Sequence, residues 1–379
     1  MFYSPFKRFI VEEENQLEAI AHLPHVGELL YTGDPNKALE HLHATHKALK
    51  GESVKGHNLS YKADGKVSIV FGKRNGNPYV KYKGKGSPEL YSEQQINDHI
   101  NQTGKMHLLQ PFLYGLKAAQ HEKIHHNHSY QGDVMVPDET SNHMMGNIVK
   151  YKKPRPSVSH AIAVHTHMET SSGKKIGSNP DVSFLETSGS HFPNLSLNNR
   201  KFKIDDKESK EIDHHLSQAK KILSNPSVAA IATDIAQHRD PTNKLGHRHM
   251  HFVKFANAVQ RGTHSRSAAS LIDWSREKAA NSKGGKEQQR LQAHADYTHR
   301  NRHHIEKLLQ AHNHIDHARS MMVDVIHREQ NLPMTPHGGH SNGEGFVSEM
   351  EDGSQVKLVP STFTIRNNEN KERFKKGIQ

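Results

Sequence analysis

The chain has 379 residues, a formal charge of +11 at pH 7 and a hydrophobic fraction of 33%. This length suits one large domain or two of ordinary size, and the positive charge favours a polyanionic partner, above all nucleic acid. The chain contains no cysteine, which excludes disulfides, cysteine-ligated zinc and thiol catalysis. No segment has the apolar length of a signal peptide or a membrane span, so we expect a soluble, cytoplasmic protein that does not contact membranes.

Helices are predicted near the start of the chain, and strands follow them. Residues 14–49 carry apolar residues at helical spacing, interrupted by Gly33-Asp34-Pro35. The segments VSIVFG and YVKYKG are β-branched and aromatic, and the Asn75-Gly76 pair between them is typical of a tight hairpin. Further along, QPFLYGLKAAQ predicts a helix, whereas YQGDVMV and HAIAVHTHM predict strands.

The second half of the chain is predicted to be mostly helical. Residues 169–200 are rich in Ser, Gly, Asn and Pro, which predicts a linker. The segment 201–335 contains several stretches of helical periodicity. The first places Ile212, Leu216, Ala219 and Leu223 on one face. The last helix carries a stripe that we interpret as core: Ile305, Leu309, His312, Ile315, Met322 and Ile326. EGFVSEM and SQVKLVP then return to strand character, with a turn at Glu351-Asp352-Gly353. Because strands flank an all-helical insertion, we expect an α+β fold.

Four short motifs occur in one order along the predicted strands. They are Lys62-Ala63-Asp64-Gly65, Gly132-Asp133, Glu344-Gly345-Phe346-Val347 and Lys357. In order and strand context they resemble the nucleotidyl motifs of the superfamily of ATP-dependent DNA ligases, RNA ligases and mRNA capping enzymes. With the helical N-terminus and the YQGD strand, the chain is most similar to a tailed-phage family of RNA ligase candidates. The resemblance covers about residues 14–168 and 340–365.

The resemblance implies a domain organisation. A nucleotidyltransferase core of mostly antiparallel sheets would comprise residues 1–168, including the helices of 14–49, together with 336–379. The helical insertion at 201–335 would be a candidate nucleic-acid-binding module. A C-terminal oligonucleotide-binding barrel is not expected, because only residues 358–379 follow Lys357 and such a barrel needs about 70 residues.

The resemblance also assigns the chemistry. Lys62 would be the nucleophile that takes AMP from ATP as a lysyl-AMP phosphoramide. Asp133 and Glu344 would hold Mg²⁺, with Mn²⁺ as a substitute metal. Asp64 and Gly65 would shape the pocket, and His165 would stack on the adenine. The residues implied to contact the ribose and phosphates are Lys66, Lys83, Lys85 and Lys357.

The predicted function is that of an ATP-dependent polynucleotide ligase, acting on RNA rather than DNA, which passes AMP to a 5′-phosphate end. The chain departs from relatives at Val359, where they often have a second lysine, and two alternatives stay open. One is a DNA ligase or guanylyltransferase, and the other is a non-catalytic nucleic-acid-binding phage protein on a ligase scaffold. The basic clusters HRNRHH and HRHMH of the insertion suit phosphates, but they suit a solvated helix face equally. The histidines of HRHMH alternate as on a strand.

Overall fold

The structure is a computed structural model, and the residues that it describes are 23–32, 34–62, 67–83, 86–122, 124–135, 161–169, 175–177, 184–186, 197–198, 200–237, 248–328 and 345–360. Their α-helices are α1 Pro35–Leu49, α2 Glu93–Thr103, α3 Leu109–Ala119, α4 Asp206–Leu223, α5 Pro226–Gln237, α6 Arg248–Gln260, α7 Ala268–Ala280, α8 Gly285–Arg300 and α9 Arg302–His327. Two 3₁₀ helices span Val26–Tyr31 and Met106–Leu108. The strands are β1 Asn58–Lys62, β2 Val67–Arg74, β3 Asn77–Tyr82, β4 His128–Met135, β5 Ala161–Glu169, β6 Lys175–Gly177, β7 Phe184–Glu186, β8 Gly345–Glu349 and β9 Gln355–Leu358. The predicted α+β class is confirmed.

The chain divides into two compact units. Unit 1 comprises Met1–Leu23, Asn58–Asn199 and Asn331–Gln355, and unit 2 comprises Pro24–His57, Arg200–Gln330 and Val356–Gln379. These limits differ from the predicted domains, since α1 falls in unit 2 with the helices of the insertion. The reason is that α1 packs against α4 and α9, which follow it by more than 150 residues and which no local pattern could connect to it.

Unit 1 is built on two sheets. The first has the strand order β1-β8-β9, and the boundary of the unit falls within β9. The second has the order β3-β2-β4-β5-β6, and β7 also pairs with β5. Strands β1 and β8 pair antiparallel, and so do the paired strands of the second sheet. Strands β6 and β7 lie inside 169–200, the segment predicted to be a linker. Each has three residues, too few to show a pattern, and their pairing with β5 is not encoded locally.

The hairpin of β2 and β3 follows from its turn residues. Asn75 and Gly76 have φ values of +51° and +81°, the left-handed conformation that a two-residue turn of this kind requires and that Asn-Gly adopts most readily. The turn pairs Arg74 with Asn77 and fixes the register of both strands. The predicted hairpin is therefore confirmed.

One face of the larger sheet carries the core of unit 1. Ile69, Phe71 and Tyr130 are fully buried there against α2 and α3. Gly115 allows α3 to approach closely, because a Cβ at this position would lie 2.6 Å from side-chain carbons of Ile69 and Val80. Side chains alternate along β2 and β4, so every second residue of these strands points to the opposite face of the sheet.

Unit 2 contains a helical core. Helix α4 begins with a capping box between Asp205 and Glu208 and packs mainly on α9. The predicted stripes are confirmed, since the following residues are buried: Ile212, Leu216, Ala219 and Leu223 of α4, and Ile305, Leu309, His312, Ile315, Met322 and Ile326 of α9. His249 and His251 lie on α6, so their predicted strand-like alternation was wrong. Among the described residues, no helix is both long and apolar enough to cross a membrane.

Candidate functional site

Strand β1 brings Lys62 next to a motif nearly three hundred residues away. Lys62 is the last residue of β1 and lies opposite Gly345, the first residue of β8. Two further hydrogen bonds hold β1 at Leu59. Its amide donates to Asn198 Oδ1 at 2.7 Å, and its carbonyl accepts from the Leu197 amide at 2.7 Å. The Lys62 side chain is half-buried. The register therefore places Lys62, the described residue of the K-x-D-G motif, opposite Gly345 of the E-G-x-V motif at one end of the strand pair.

Asp133 lies in the second sheet of unit 1. It is buried, and it pairs with Ser68 of β2 on one side and with Ala163 of β5 on the other. Residues 63–66 are all that separate Lys62 from the start of β2. Because five peptide units span at most about 18 Å, the chain connection keeps the Lys62 backbone within that distance of Val67.

The residue predicted to stack on adenine lies at an irregularity of β5. Gln131 pairs with Thr166 and Gly132 pairs with Val164, so the register skips His165. This arrangement is a β-bulge, in which one strand carries an extra unpaired residue. Bulges occur frequently next to active sites, where they re-aim a side chain. The described part of the chain includes the backbone of His165 but not its side chain.

A buried polar face surrounds Asp133, and sequence reasoning missed it. We define the polar face as Ser68, Ser129, Gln131 and Asp133, which are at most 8% exposed. Since side chains alternate along a strand, the three β4 members point to one side, and the β2 register places Ser68 opposite Asp133. The signal that could have revealed it is the alternation in S-Y-Q-G-D, where polar residues recur at every second position.

Hydrogen bonds order this polar face and leave one acceptor unused. Gln131 donates its Nε2 hydrogen to Ser68 Oγ at 3.2 Å, and the Tyr79 hydroxyl lies 2.6 Å from Ser129 Oγ. Gln131 Oε1 is buried and has no hydrogen-bond partner among the residues that the structure describes. A buried acceptor without a partner costs free energy. The face therefore offers an unoccupied hydrogen-bonding position beside a carboxylate.

The other predicted residues are distributed as follows. Lys83 directly follows β3 and is half-buried. Lys357 lies on β9 in unit 2, where its amide donates to the Pro24 carbonyl at 2.9 Å. Five of the predicted site residues lie outside the described residues: Asp64, Gly65, Lys66, Lys85 and Glu344.

Lys357 has an acidic neighbour in unit 2. Burial raises the pKa of the Glu28 carboxyl, and the positive charge of Lys357 opposes this shift together with hydrogen bonds from His25 and Asn257. Glu28 accepts the His25 amide hydrogen at 3.0 Å. The predicted phosphate-contacting lysine thus lies in an environment that includes a carboxyl group with a raised proton affinity.

The polar face contains oxygen donors that suit a metal ion. Within the described ranges, no three or more His, Asp or Glu side chains are arranged to hold an ion. Asp133 and the unpartnered Gln131 Oε1 are nevertheless hard oxygen donors on one face, the ligand type that Mg²⁺ prefers. Glu344, the second predicted metal ligand, lies outside the described residues.

Comparison with known proteins places the chain in a family. No curated protein and no solved structure matches it significantly. The profile of a family described as "Family of unknown function (DUF6267)" matches residues 20–372, which is nearly the whole chain and includes both units. The chain belongs to this family of unknown function, DUF6267.

Proposed function

We propose that the chain is an ATP-dependent nucleotidyltransferase that joins polynucleotide ends, RNA rather than DNA, through a lysyl-AMP intermediate on Lys62. The observation that carries the proposal is the pairing of Lys62 with Gly345. Two motifs that resemble those of ligases would have to meet in space for such chemistry, and they are 283 residues apart in the sequence (345 − 62). If the Lys-x-Asp-Gly sequence had arisen by chance, nothing would require Lys62 to pair with Gly345.

The polar face supports the proposal independently. A nucleotide needs hydrogen-bonding groups for its sugar and phosphates inside a largely buried site. Asp133, Ser68 and Gln131 supply such groups on one surface of unit 1, and Gln131 Oε1 has an unused acceptor position in the described structure. The bulge at His165 lies on the strand adjacent to Asp133.

The proposed reaction has three steps. The Lys62 Nζ attacks the α-phosphorus of ATP as a neutral amine, the N–P bond forms, the P–O bond to pyrophosphate breaks, and the amine loses its proton. The AMP then passes to the oxygen of a 5′-phosphate, which regenerates the lysine. A 3′-hydroxyl attacks that activated phosphate and releases AMP. Bound Mg²⁺ would supply neutralising charge at the phosphates, with Asp133 and Glu344 as its proposed ligands.

The chain's own groups have separate roles in this proposal. Asp133 and Gln131 would orient the nucleotide sugar, so that the α-phosphorus lies within reach of Lys62. His165 would contribute an imidazole face to the base. Lys83 would add positive charge near the phosphates, as in the ligases that the motifs resemble.

The test is covalent labelling. The protein is incubated with α-labelled ATP or GTP and Mg²⁺ and separated on a denaturing gel. We expect a labelled band with ATP, and we expect Lys62→Ala and Lys62→Arg to abolish it, since arginine keeps the charge without the nucleophilic amine. Lys55→Ala removes an exposed lysine seven positions earlier and should leave the band unchanged. A band from GTP alone would instead favour guanylyltransferase chemistry.

One observation favours the non-catalytic alternative. The junction of α8 and α9 exposes a run of basic side chains, namely His299, Arg300, Arg302 and His303. Such a run can bind phosphates without any covalent step. If neither nucleotide labels the protein but single-stranded RNA still binds with a steep salt dependence, the chain is a binding protein rather than a ligase.

A further inference from the structure

A second site is suggested by a cavity in unit 2, formed by α6, α7 and α8. Its volume is about 270 Å³. A cavity of ~150 Å³ can hold benzene, whereas drug-sized ligands need ~300–1,000 Å³. The space therefore suits one ring-bearing chemical unit rather than a long segment of polymer. The residues that line it include His251, Lys254, Trp274, Lys278, Arg290 and His294.

The inner lining is aromatic. His251 and His294 stack with ring centres 4.2 Å apart, and Trp274 lies 4.9 Å from His251. The Ser275 hydroxyl donates its only hydrogen to the Leu271 carbonyl at 2.7 Å, so the 2.8 Å contact with His251 must be a hydrogen bond donated by His251 Nε2. Burial, followed by the charges of neighbouring groups, lowers the pKa of His251 well below its usual value. His251 is therefore neutral at pH 7, with its lone pair on Nδ1.

The outer lining is positively charged. Lys254 and Lys278 are exposed, and the Arg290 side chain is only 13% exposed. One carboxylate, Glu287, pairs with Arg290 Nη2, which leaves an excess of positive charge around the opening. Arg290 Nε is buried and lacks a hydrogen-bond acceptor within the described chain. A buried N–H without an acceptor is costly, and the charged guanidinium that carries it lines the cavity.

We propose that this cavity binds a nucleoside phosphate, with the base against the aromatic lining and the phosphate at Lys254, Lys278 and Arg290. A planar apolar ring combined with an anionic group matches both parts of the lining. Aromatic side chains with nearby cations are the standard means by which proteins hold single nucleotides of a strand. The ligand is either a free mononucleotide or the 5′-phosphorylated end of a strand, and the experiment below distinguishes these sources. This site is independent of the chemistry proposed for Lys62.

The chain provides its own probe, because Trp274 is its single tryptophan and it lines the cavity. The full-length protein is titrated with AMP, adenosine, inorganic phosphate, and 5′-phosphorylated or 5′-hydroxyl oligonucleotides of RNA and DNA. Tryptophan fluorescence is followed with excitation at a wavelength that nucleotides do not absorb. We expect AMP or a 5′-phosphorylated oligonucleotide to change the emission at lower concentration than adenosine, inorganic phosphate and 5′-hydroxyl strands. Preference for AMP identifies a free mononucleotide, and preference for the oligonucleotide identifies a strand end.

Variants test the assigned contacts. Loss of a charge-assisted hydrogen bond typically weakens binding roughly tenfold to a hundredfold, and we expect this for Arg290→Gln, with Lys278→Ala weakening it less because Lys278 is exposed. Glu287→Gln should strengthen binding by removing a negative charge. Lys286→Ala is the matched control, since it removes an exposed cation of α8 that does not line the cavity, and it should have little effect.

Clear outcomes would overturn the proposal. These are an emission that no nucleotide changes, an equal response to inorganic phosphate, and a response that Arg290→Gln leaves unaltered while circular dichroism shows that the variant is folded. Lys62→Ala is expected to keep the Trp274 response. If it does so while covalent labelling fails in the unmodified protein, the ligase proposal is wrong and the cavity proposal stands. If the protein is labelled but the Trp274 emission does not respond, the cavity proposal is wrong and the ligase proposal stands.

Discussion

Replacing Gly27 with alanine tests the packing of unit 2 at its most constrained point. Gly27 lies in the 3₁₀ helix Val26–Tyr31, and a Cβ there would lie 2.1 Å from His312 Nε2 and 2.5 Å from His312 Cδ2. Ordinary contacts between such atoms are about 3.5–4.0 Å, so the ring would have to move by more than an ångström. His312 is fully buried and its Nδ1 lies 2.8 Å from the Tyr31 hydroxyl, so this movement breaks a buried hydrogen bond.

The expected cost combines two effects. Overpacking a core typically costs about 1–3 kcal/mol, and leaving a buried polar group without its partner costs about 1–3 kcal/mol. The lower backbone entropy of alanine in the unfolded chain returns up to about 1 kcal/mol. We therefore expect Gly27→Ala to lower the free energy of unfolding by about 1–6 kcal/mol.

Chemical denaturation with a matched control and a double-mutant cycle measures this effect. Gly285→Ala is the control, because no described atom lies within 4 Å of a Cβ at this first residue of α8, and it should be neutral or slightly stabilising. In a His312→Ala background the clash is absent, so the additional cost of Gly27→Ala should fall to less than about 1 kcal/mol. A Gly27→Ala variant within about 0.5 kcal/mol of the parent, or one whose cost is the same with and without His312, would refute the reasoning.

Three further predictions concern charge, pH and the polar face. The Asp316 side chain is 15% exposed, and its carboxylate lies between the buried Arg266 side chain at 2.5 Å and the buried Arg319 side chain at 3.0 Å. Asp316→Asn should destabilise the protein by about 3–5 kcal/mol in urea unfolding, because both arginines stay buried; a loss below about 1 kcal/mol would contradict this. Burial lowers the pKa of His57, His167 and His327 to about 4 and that of His312 to about 3. The unfolded chain takes up these protons near pH 6.5, whereas the folded chain does not. The free energy of unfolding should therefore be fully present above about pH 6.5 and fall by on the order of 3 kcal/mol per histidine as the pH drops toward 4. Urea midpoints that stay constant from pH 7 to pH 5 would disprove this. Gln131→Met keeps the side-chain length but removes both the unused acceptor and the hydrogen bond to Ser68 Oγ. It should lower covalent labelling by ATP about tenfold and the free energy of unfolding by about 1–3 kcal/mol; undiminished labelling in the folded variant would remove Gln131 from the proposed site.

Local features of the fold were predictable because local chemistry fixes them. The Asn75-Gly76 turn requires two left-handed residues, and these are the residues that adopt that conformation most easily. The stripes of α4 and α9 follow from helical periodicity, which identified His312 as a core residue. The pattern could not show what His312 contacts, since Tyr31 and Gly27 lie about 280 residues earlier in the chain.

Features that depend on distant pairing were missed or remain proposals. The three-residue strands β6 and β7 exist only through their pairing with β5, and α1 joins unit 2 through α4 and α9. For the candidate site, the motifs indicated Lys62 and Asp133, and the register of β1 with β8 adds that the Lys62 and E-G-x-V segments are neighbours. Ser68, Ser129 and Gln131 were visible as an alternation of polar residues, but only their burial shows that this face is an internal surface.

The most direct test of the account is the location of a covalent adduct. The intact protein is incubated with ATP and Mg²⁺, its mass is measured, and the modified residue is mapped by peptide fragmentation under conditions that preserve a phosphoramide. The account predicts a mass increase of one AMP moiety, located at Lys62 and lost when the reacted protein is exposed to acid. An unmodified protein, or an adduct on any other residue, would contradict it.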